Sequence, residues 1–296
     1  MDQRFTDGFW HSADGLKLHY RDYPGPSDAD QPPILCMHGL TRNARDFTLL
    51  AERLSPEWRV IVPEMRGRGD SDYADDAGTY DVSQYVADVE ALLAELGIER
   101  FVAIGTSLGG LMTMMLAQRG AERIAGAVLN DIGPAIEPGG LEKIRSYVGQ
   151  GRSFPTWMHA ARALQETHSD AHPGYQLEDW LQAAKRVMVL GQNGRISFDY
   201  DMAIGDTFRE GEDAGGAPAD NLWLAFESLA DTPLLLVRGE LSDLLSPDTV
   251  RQMKTRNRAM EIATVPKTGH APTLDEPEAV AAIDALLARL RTQENA

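Results

Sequence analysis

One stretch restricts this chain more than any other: Phe101-Val-Ala-Ile-Gly-Thr-Ser-Leu-Gly-Gly110, followed at once by Leu111-Met-Thr-Met-Met-Leu-Ala-Gln-Arg119. Its apolar first half reads as a short buried strand, while Leu111/Met115 and Met112/Leu116 recur at helical spacing. Strand, tight turn and helix therefore meet at Ser107. Gly105 and Gly109 stand two residues either side of it and complete G-x-S-x-G. A strand that reverses so sharply into a helix brings the two backbones together, and a side chain at either glycine would collide. The turn holds the hydroxyl at the carboxyl edge of a sheet. There the first amides of the helix lack intrahelical acceptors and face whatever negative charge develops.

The flanking sequence supplies a sheet for this turn. Phe9-Trp-His and Leu16 to Arg21 alternate in character around Asp14-Gly15, which predicts an antiparallel hairpin. Ile34-Leu-Cys-Met, Val60-Ile-Val and Ala125 to Asn130 are short apolar runs without alternation, as strands buried on both faces should be. Helical patterns separate them at Arg45 to Leu54 and Tyr80 to Leu96, the second stopping at Gly97. This alternation predicts a mainly parallel sheet with helices on both faces.

From Asp131-Ile-Gly-Pro134 to about Ala230 the pattern becomes helical, with no strand expected: Leu141 to Val148, Pro155 to Thr167, Leu177 to Leu190 and Asn221 to Leu229. Breaks at Gly191-Gln-Asn-Gly194 and Gly211 to Gly216 separate the segments. Trp157, Trp180 and Trp223 fall here, and packing of the insertion's own small core is the simpler role for each. Strand and helix then alternate again: Pro233 to Val237, Pro247 to Met253, Glu261 to Val265 and Pro277 to Leu290.

Composition sets the limits on partners. A formal charge of −17 disfavours nucleic acid and anionic membranes, which need positive surface. No apolar run is long enough to span a bilayer. The first residues, Met-Asp-Gln-Arg-Phe-Thr, lack a basic-then-apolar leader, so a cytoplasmic protein is expected. The single cysteine, Cys36, reads as a buried small hydrophobe. No paired-cysteine spacing offers a metal site, so no metal is expected.

A serine hydroxyl needs a base to become a nucleophile, and the base needs a partner to orient it. Of seven histidines, His270 alone lies in a loop directly after the last predicted core strand. Two carboxylates compete to orient it. Asp243 follows the strand ending at Val237 and is placed ahead; Asp131, at the end of the strand after the elbow helix, is the alternative. Glu240 comes too early, and Asp248 opens the next helix beside Pro247.

With His38-Gly39 after one strand, Arg66-Gly-Arg-Gly-Asp-Ser71 after the next, the elbow at Ser107, then Asp243 and His270, the chain resembles the α/β-hydrolase family over almost its whole length. The resemblance implies an α/β fold: a mostly parallel eight-stranded sheet with helices on both faces and a helical cap inserted after strand six. Residues 1–133 and 231–296 would form the core domain and residues 134–230 the cap. It further implies Ser107 as nucleophile, His270 as base then acid, Asp243 as its orienting partner, and the backbone N–H groups of Leu40 and Leu108 as oxyanion hole. One departure is Glu64, where relatives commonly carry Asp; the position reads as structural. His38, Arg66, Arg68 and Asp70 read as loop braces.

The family further implies a small-molecule substrate and no cofactor. Hydrolysis of a small carboxylic ester through an acyl-enzyme is the expected activity. Serine at the elbow separates the chain from relatives that carry aspartate there. Cleavage of a carbon–carbon bond, a lactone or an amide is the alternative, although Ala271 stands where carbon–carbon hydrolases often have tryptophan. A reading from another class is a ligand-binding protein of the same fold without turnover. Among cap cations, Arg145, Arg152, Lys185, Arg186, Arg195 and Arg209 are candidates to meet a substrate carboxylate. No sequence pattern specifies an oligomeric state.

Overall fold

The computed structural model describes residues 4–27, 31–207 and 219–294. Its strands are β1 (Thr6–His11), β2 (Lys17–Tyr23), β3 (Ile34–Met37), β4 (Val60–Pro63), β5 (Phe101–Thr106) and β6 (Ile124–Asn130), then the short β7 (Ser153–Phe154), β8 (Met188–Leu190) and β9 (Ile196–Phe198), and finally β10 (Leu234–Gly239) and β11 (Glu261–Val265). The helices are α1 (Thr48–Leu54), α2 (Val82–Glu95), α3 (Leu108–Gly120), α4 (Pro138–Tyr147), α5 (Trp157–His168), α6 (Leu177–Val187), α7 (Ala219–Glu227), α8 (Pro247–Arg256) and α9 (Pro277–Glu294).

Eight strands form one sheet in the order β1-β2-β4-β3-β5-β6-β10-β11. β1 and β2 are antiparallel, β2 runs antiparallel to β4, and every later pair is parallel. The predicted hairpin closes where Gly15 takes φ +90° and Ser12 Oγ accepts from Leu16 N. The central strands have no polar face, and the residues divide by parity. Leu35 and Met37 point to a core shared with α2, α3, α7 and α8; Ile34 and Cys36 point to one shared with α1 and α9. Cys36 is fully buried there, and burial raises its thiol pKa well above the usual range.

Between β6 and β10, the sixth and seventh strands of this sheet, the structure departs from the expected all-helical pattern. β7, β9 and β8 form a separate antiparallel sheet. The helix expected over Leu177 to Leu190 stops at Val187, and the next three residues pair with Ile196–Phe198. The glycine-rich break is the hairpin turn itself: Gly194 has φ +72° and Gly191 N donates to Arg195 O at 2.8 Å. Strands of two or three residues are too short to show an alternating pattern, and a helical run leads directly into one of them.

This segment also divides in its packing. Trp180, Leu164, Val187 and Ile196 form a small core of their own, with Trp157 against it. Leu222, Ala225 and Phe226 of α7 instead join the main core beside α3, and Trp223 lies under Arg256 of α8 at 3.8 Å. Arg209 and the break at Gly211 to Gly216 lie outside the described residues.

Candidate active site

The turn between β5 and α3 has the geometry the two glycines demand. Ser107 adopts φ 52°, ψ −113°, a strained backbone for a residue with a side chain. A Cβ on Gly105 would overlap the Gly109 carbonyl, and one on Gly109 would overlap Met37 O of the neighbouring strand. Ser107 N donates to Asn130 O at 3.0 Å, which ties the turn to the end of β6. Asn130 Nδ2 donates in turn to Thr106 Oγ1 (3.0 Å) and to Pro272 O (2.8 Å), so one side chain joins the serine turn to the loop after β11.

That loop carries His270. Its Nε2 lies 3.0 Å from Ser107 Oγ, and its Nδ1 lies 2.8 Å from Asp131 Oδ2. The tautomer consistent with both contacts has Nδ1–H donating to the carboxylate and Nε2 accepting from the hydroxyl. Asp131 is fully buried and takes φ 54°. Its Oδ1 accepts from Gly239 N (2.8 Å), and its Oδ2 also accepts from Ser242 Oγ (2.7 Å).

Asp243, ranked first from sequence, is not at the imidazole. Its side chain is 43% exposed and pairs with Lys143 of α4 at 3.1 Å. The correction has a simple cause. β6 and β10 are neighbours in the sheet, with Asn130 in register with Val237. The loops after both strands therefore open beside His270, and the chain fills the place once, with Asp131. Gly239 and Ser242 of the competing loop serve that carboxylate as donors. Neither was legible as such, because a donor to a buried acid can be any amide or hydroxyl. Glu240 accepts from Lys267 N, and Asp248 is exposed in the first turn of α8.

The loop after β3 forms the facing wall. His38 Nδ1 lies 2.8 Å from Gly39 O and its Nε2 accepts from Met65 N at 3.1 Å. Burial pushes this imidazole down to about 4, in keeping with a neutral brace. Arg68 Nε donates to Leu40 O at 2.9 Å, and Arg66 is held between Asp88 and Asp14. Glu64 accepts from Ala44 N and Asp70 N and lies 2.9 Å from His19 Nδ1. Leu108 is the first residue of α3, so its amide has no acceptor within the helix. A Cβ on Gly39 would sit 3.7 Å from Ser107 Cβ, which places the Gly39–Leu40 backbone directly beside the hydroxyl.

Among the described residues one group could offer three metal ligands, His19, Glu64 and Asp70. Both nitrogens of His19 are already engaged, by Glu64 and Asp7, and the group reads as a strand-end brace. Above Ser107 lies a cavity of about 630 Å³, walled by the Gly39–Leu40 loop and by residues of α4, α5 and α6. Of the cations expected to meet substrate, Arg152 and Arg186 reach it, while Arg195 is bonded to Ser153. Arg42 and Lys143 line it too; Arg42 was missed because it comes from the sheet side and not from the insertion.

Residues 34–283 match the sequence model of the alpha/beta hydrolase family. The fold superposes with a TM-score of 0.93 on the crystal structure of an alpha/beta hydrolase from Novosphingobium aromaticivorans, 57% identical over 98% of this chain and 100% of that one. A 3-hydroxybutyrate-oligomer hydrolase of Cupriavidus necator is 37% identical over 93% of this chain and 94% of its own. The N-formylmaleamate deformylase of Pseudomonas putida is 26% identical over 92% of each. Among the described residues no helix is long and apolar enough to cross a membrane.

Proposed function

The chain belongs to the alpha/beta hydrolase family, and on that premise we propose that it hydrolyses small carboxylic esters through an acyl-enzyme on Ser107. The observation that carries the reading is the hydrogen-bonded row Asp131, His270, Ser107 at the floor of the cavity. As Ser107 Oγ attacks the ester carbonyl carbon, its proton passes to His270 Nε2. The imidazolium is held by Asp131 through Nδ1–H, and the carbonyl electrons move onto oxygen. The Leu40 and Leu108 amides would hold that oxyanion; losing one such donor costs about 3 kcal/mol of barrier. Nε2–H then protonates the departing alkoxide. Water, deprotonated by the same nitrogen, attacks the acyl-enzyme, and collapse of the second tetrahedral species returns the serine and frees the acid. No step calls on a cofactor.

In this reading the segment 134–230 contributes the roof of the site through α4, α5 and α6, with α7 serving the main core instead. The Cupriavidus relative supports short hydroxyacid esters as the substrate class. A second reading, amide cleavage by the same three side chains, is favoured by the deformylase relative.

Turnover of p-nitrophenyl butanoate, with labelling of Ser107 by a serine-directed phosphonate, tests the proposal. Folded protein that neither turns over esters nor labels at Ser107 would overturn it in favour of a ligand-binding role. Labelling with turnover of an amide and of no ester would support the second reading.

A further inference from the structure

The cavity over Ser107 contains cations that the acyl-transfer chemistry does not use. Arg42 closes the turn after β3, its N–H donating to Gly39 O at 3.2 Å, and Arg186 lies in the last turn of α6; both line the cavity. Arg42 stands close to the reacting hydroxyl. A carbon built on Gly39 would be 3.4 Å from Arg42 Cγ and 3.7 Å from Ser107 Cβ, so the two side chains flank the same backbone atom.

Neither guanidinium has a hydrogen-bonded partner among the described residues. Arg42 approaches Asp46 with Nη1 to Oδ1 at 3.7 Å, beyond hydrogen-bond reach, and its side chain is 35% exposed. Arg186 makes no side-chain hydrogen bond or ion pair among the described residues, and only its carbonyl is engaged, by Arg45 Nε. Arg45 and Arg66 show the contrast, paired with Asp199 at 2.7 Å and with Asp88 at 2.7 Å, while Arg152 at the same cavity lies over the Phe154 ring. A planar fork of N–H donors left without an acceptor at the wall of a cavity suits a carboxylate.

The surroundings leave that role to a ligand. Glu276 accepts from Thr273 N and Leu274 N, and Asp179 from Gln176 N, so these cavity carboxylates are held within their own loops. Lys143 pairs with Asp243. His168 and His172 are pushed down to about 4, first by burial and then by the charge of Arg42, and so are neutral at pH 7. Asp46 and Asp275 complete the cavity's carboxylates, Asp46 in that longer contact with Arg42 and Asp275 accepting from Thr273 Oγ1 within its own loop.

We propose that Arg42, together with Arg186 on the inserted segment, binds a free carboxylate of the substrate, so that the preferred esters carry a second, ionised acid group. Hemiesters of dicarboxylic acids and acid-ended hydroxyacid oligomers are the class that fits. The inference rests on the ester-hydrolase reading and is separable from it by the following experiment.

Matched pairs that differ in one end group, p-nitrophenyl hydrogen glutarate against p-nitrophenyl pentanoate and the adipate against the hexanoate, are compared by kcat/KM. Wild type is expected to favour the acid-ended member of at least one pair. Arg42→Gln is expected to lower that preference about 10- to 100-fold, mainly through KM, as loss of a charge-assisted hydrogen bond does, with Arg42→Lys restoring part of it. Arg186→Gln is the second variant should Arg42→Gln fail to fold. Calorimetry of glutarate with Ser107→Ala protein reads the same site without turnover. Turnover of both members with no acid preference, or a preference that neither arginine variant changes, overturns the inference and leaves the hydrolase reading standing. No ester turnover while glutarate binds the Ser107→Ala protein, and less tightly when Arg42→Gln is added, overturns the hydrolase reading and supports the carboxylate site.

Discussion

His270 Nδ1 lies 2.8 Å from Asp131 Oδ2, an oxygen that is wholly buried and also accepts from Ser242 Oγ at 2.7 Å. With the carboxylate in place, the imidazole keeps the tautomer whose Nε2 can accept the serine proton. Asp131→Asn would present an amide that cannot enforce this tautomer. We expect kcat on p-nitrophenyl butanoate to fall about 10³- to 10⁴-fold. Asp243→Asn, which alters an exposed pair with Lys143, should change it less than about 3-fold. The reverse ranking would return the role to Asp243.

Ser242 is expected to act through Asp131. Its hydroxyl donates to the carboxylate and accepts from Leu245 N at 3.1 Å. Ser242→Ala should cost about 1–2 kcal/mol in urea unfolding, the usual loss for a partly buried hydrogen bond. It should also lower kcat about 5- to 20-fold with KM little changed, the signature of a misplaced base. A fall in stability with kcat intact would confine Ser242 to a structural role.

The glycines of the elbow are expected to tolerate nothing larger. Gly109→Ala drives a carbon into Met37 O and Gly105→Ala into the Gly109 carbonyl, both backbone atoms that cannot turn aside. Each should cost at least about 3 kcal/mol or abolish soluble expression. Gly139 of α4 has open space around it, so Gly139→Ala should be neutral or stabilise by up to about 1 kcal/mol. Thermal unfolding of the three variants checks the contrast.

Stability should fall with acid, and His38 is one cause. Burial holds its folded value at about 4, below the roughly 6.5 of an unfolded histidine. The unfolded chain therefore takes up a proton first as pH falls, and the stability present above about 6.5 is lost between there and 4. For His38 alone the loss from pH 7.5 to pH 5 is about 2 kcal/mol. His168 and His172, also near 4, add in the same direction. His19 opposes them: burial lowers its pKa, but its bonds to Glu64 and Asp7 prevail and raise it. Urea midpoints at pH 7.5 and 5 should separate more in wild type than in His38→Gln.

The fold was legible in the sequence where one physical demand left few choices. Gly105 and Gly109 are required by a backbone collision, and the four-residue runs Ile34–Met37 and Val60–Pro63 are apolar because both faces are covered. Legibility failed where two elements satisfied the same demand. Asp131 and Asp243 both follow strands that open beside His270, and only the loop geometry that turns Asp243 toward Lys143 separates them. The small sheet of β7, β8 and β9 was invisible for want of length. α7 has the pattern of any amphipathic helix, and nothing local says that Phe226 packs beside α3 and not within the insertion.

Gly269, the residue before the base, donates its N–H to Ala171 O at 2.6 Å, and a Cβ there would press on the backbone of that residue. The imidazole thus leans on the chain between α5 and α6. Displacing that stretch would withdraw a prop from the loop that carries His270. The loop that carries His270 and the stretch between α5 and α6 are in this way mechanically linked.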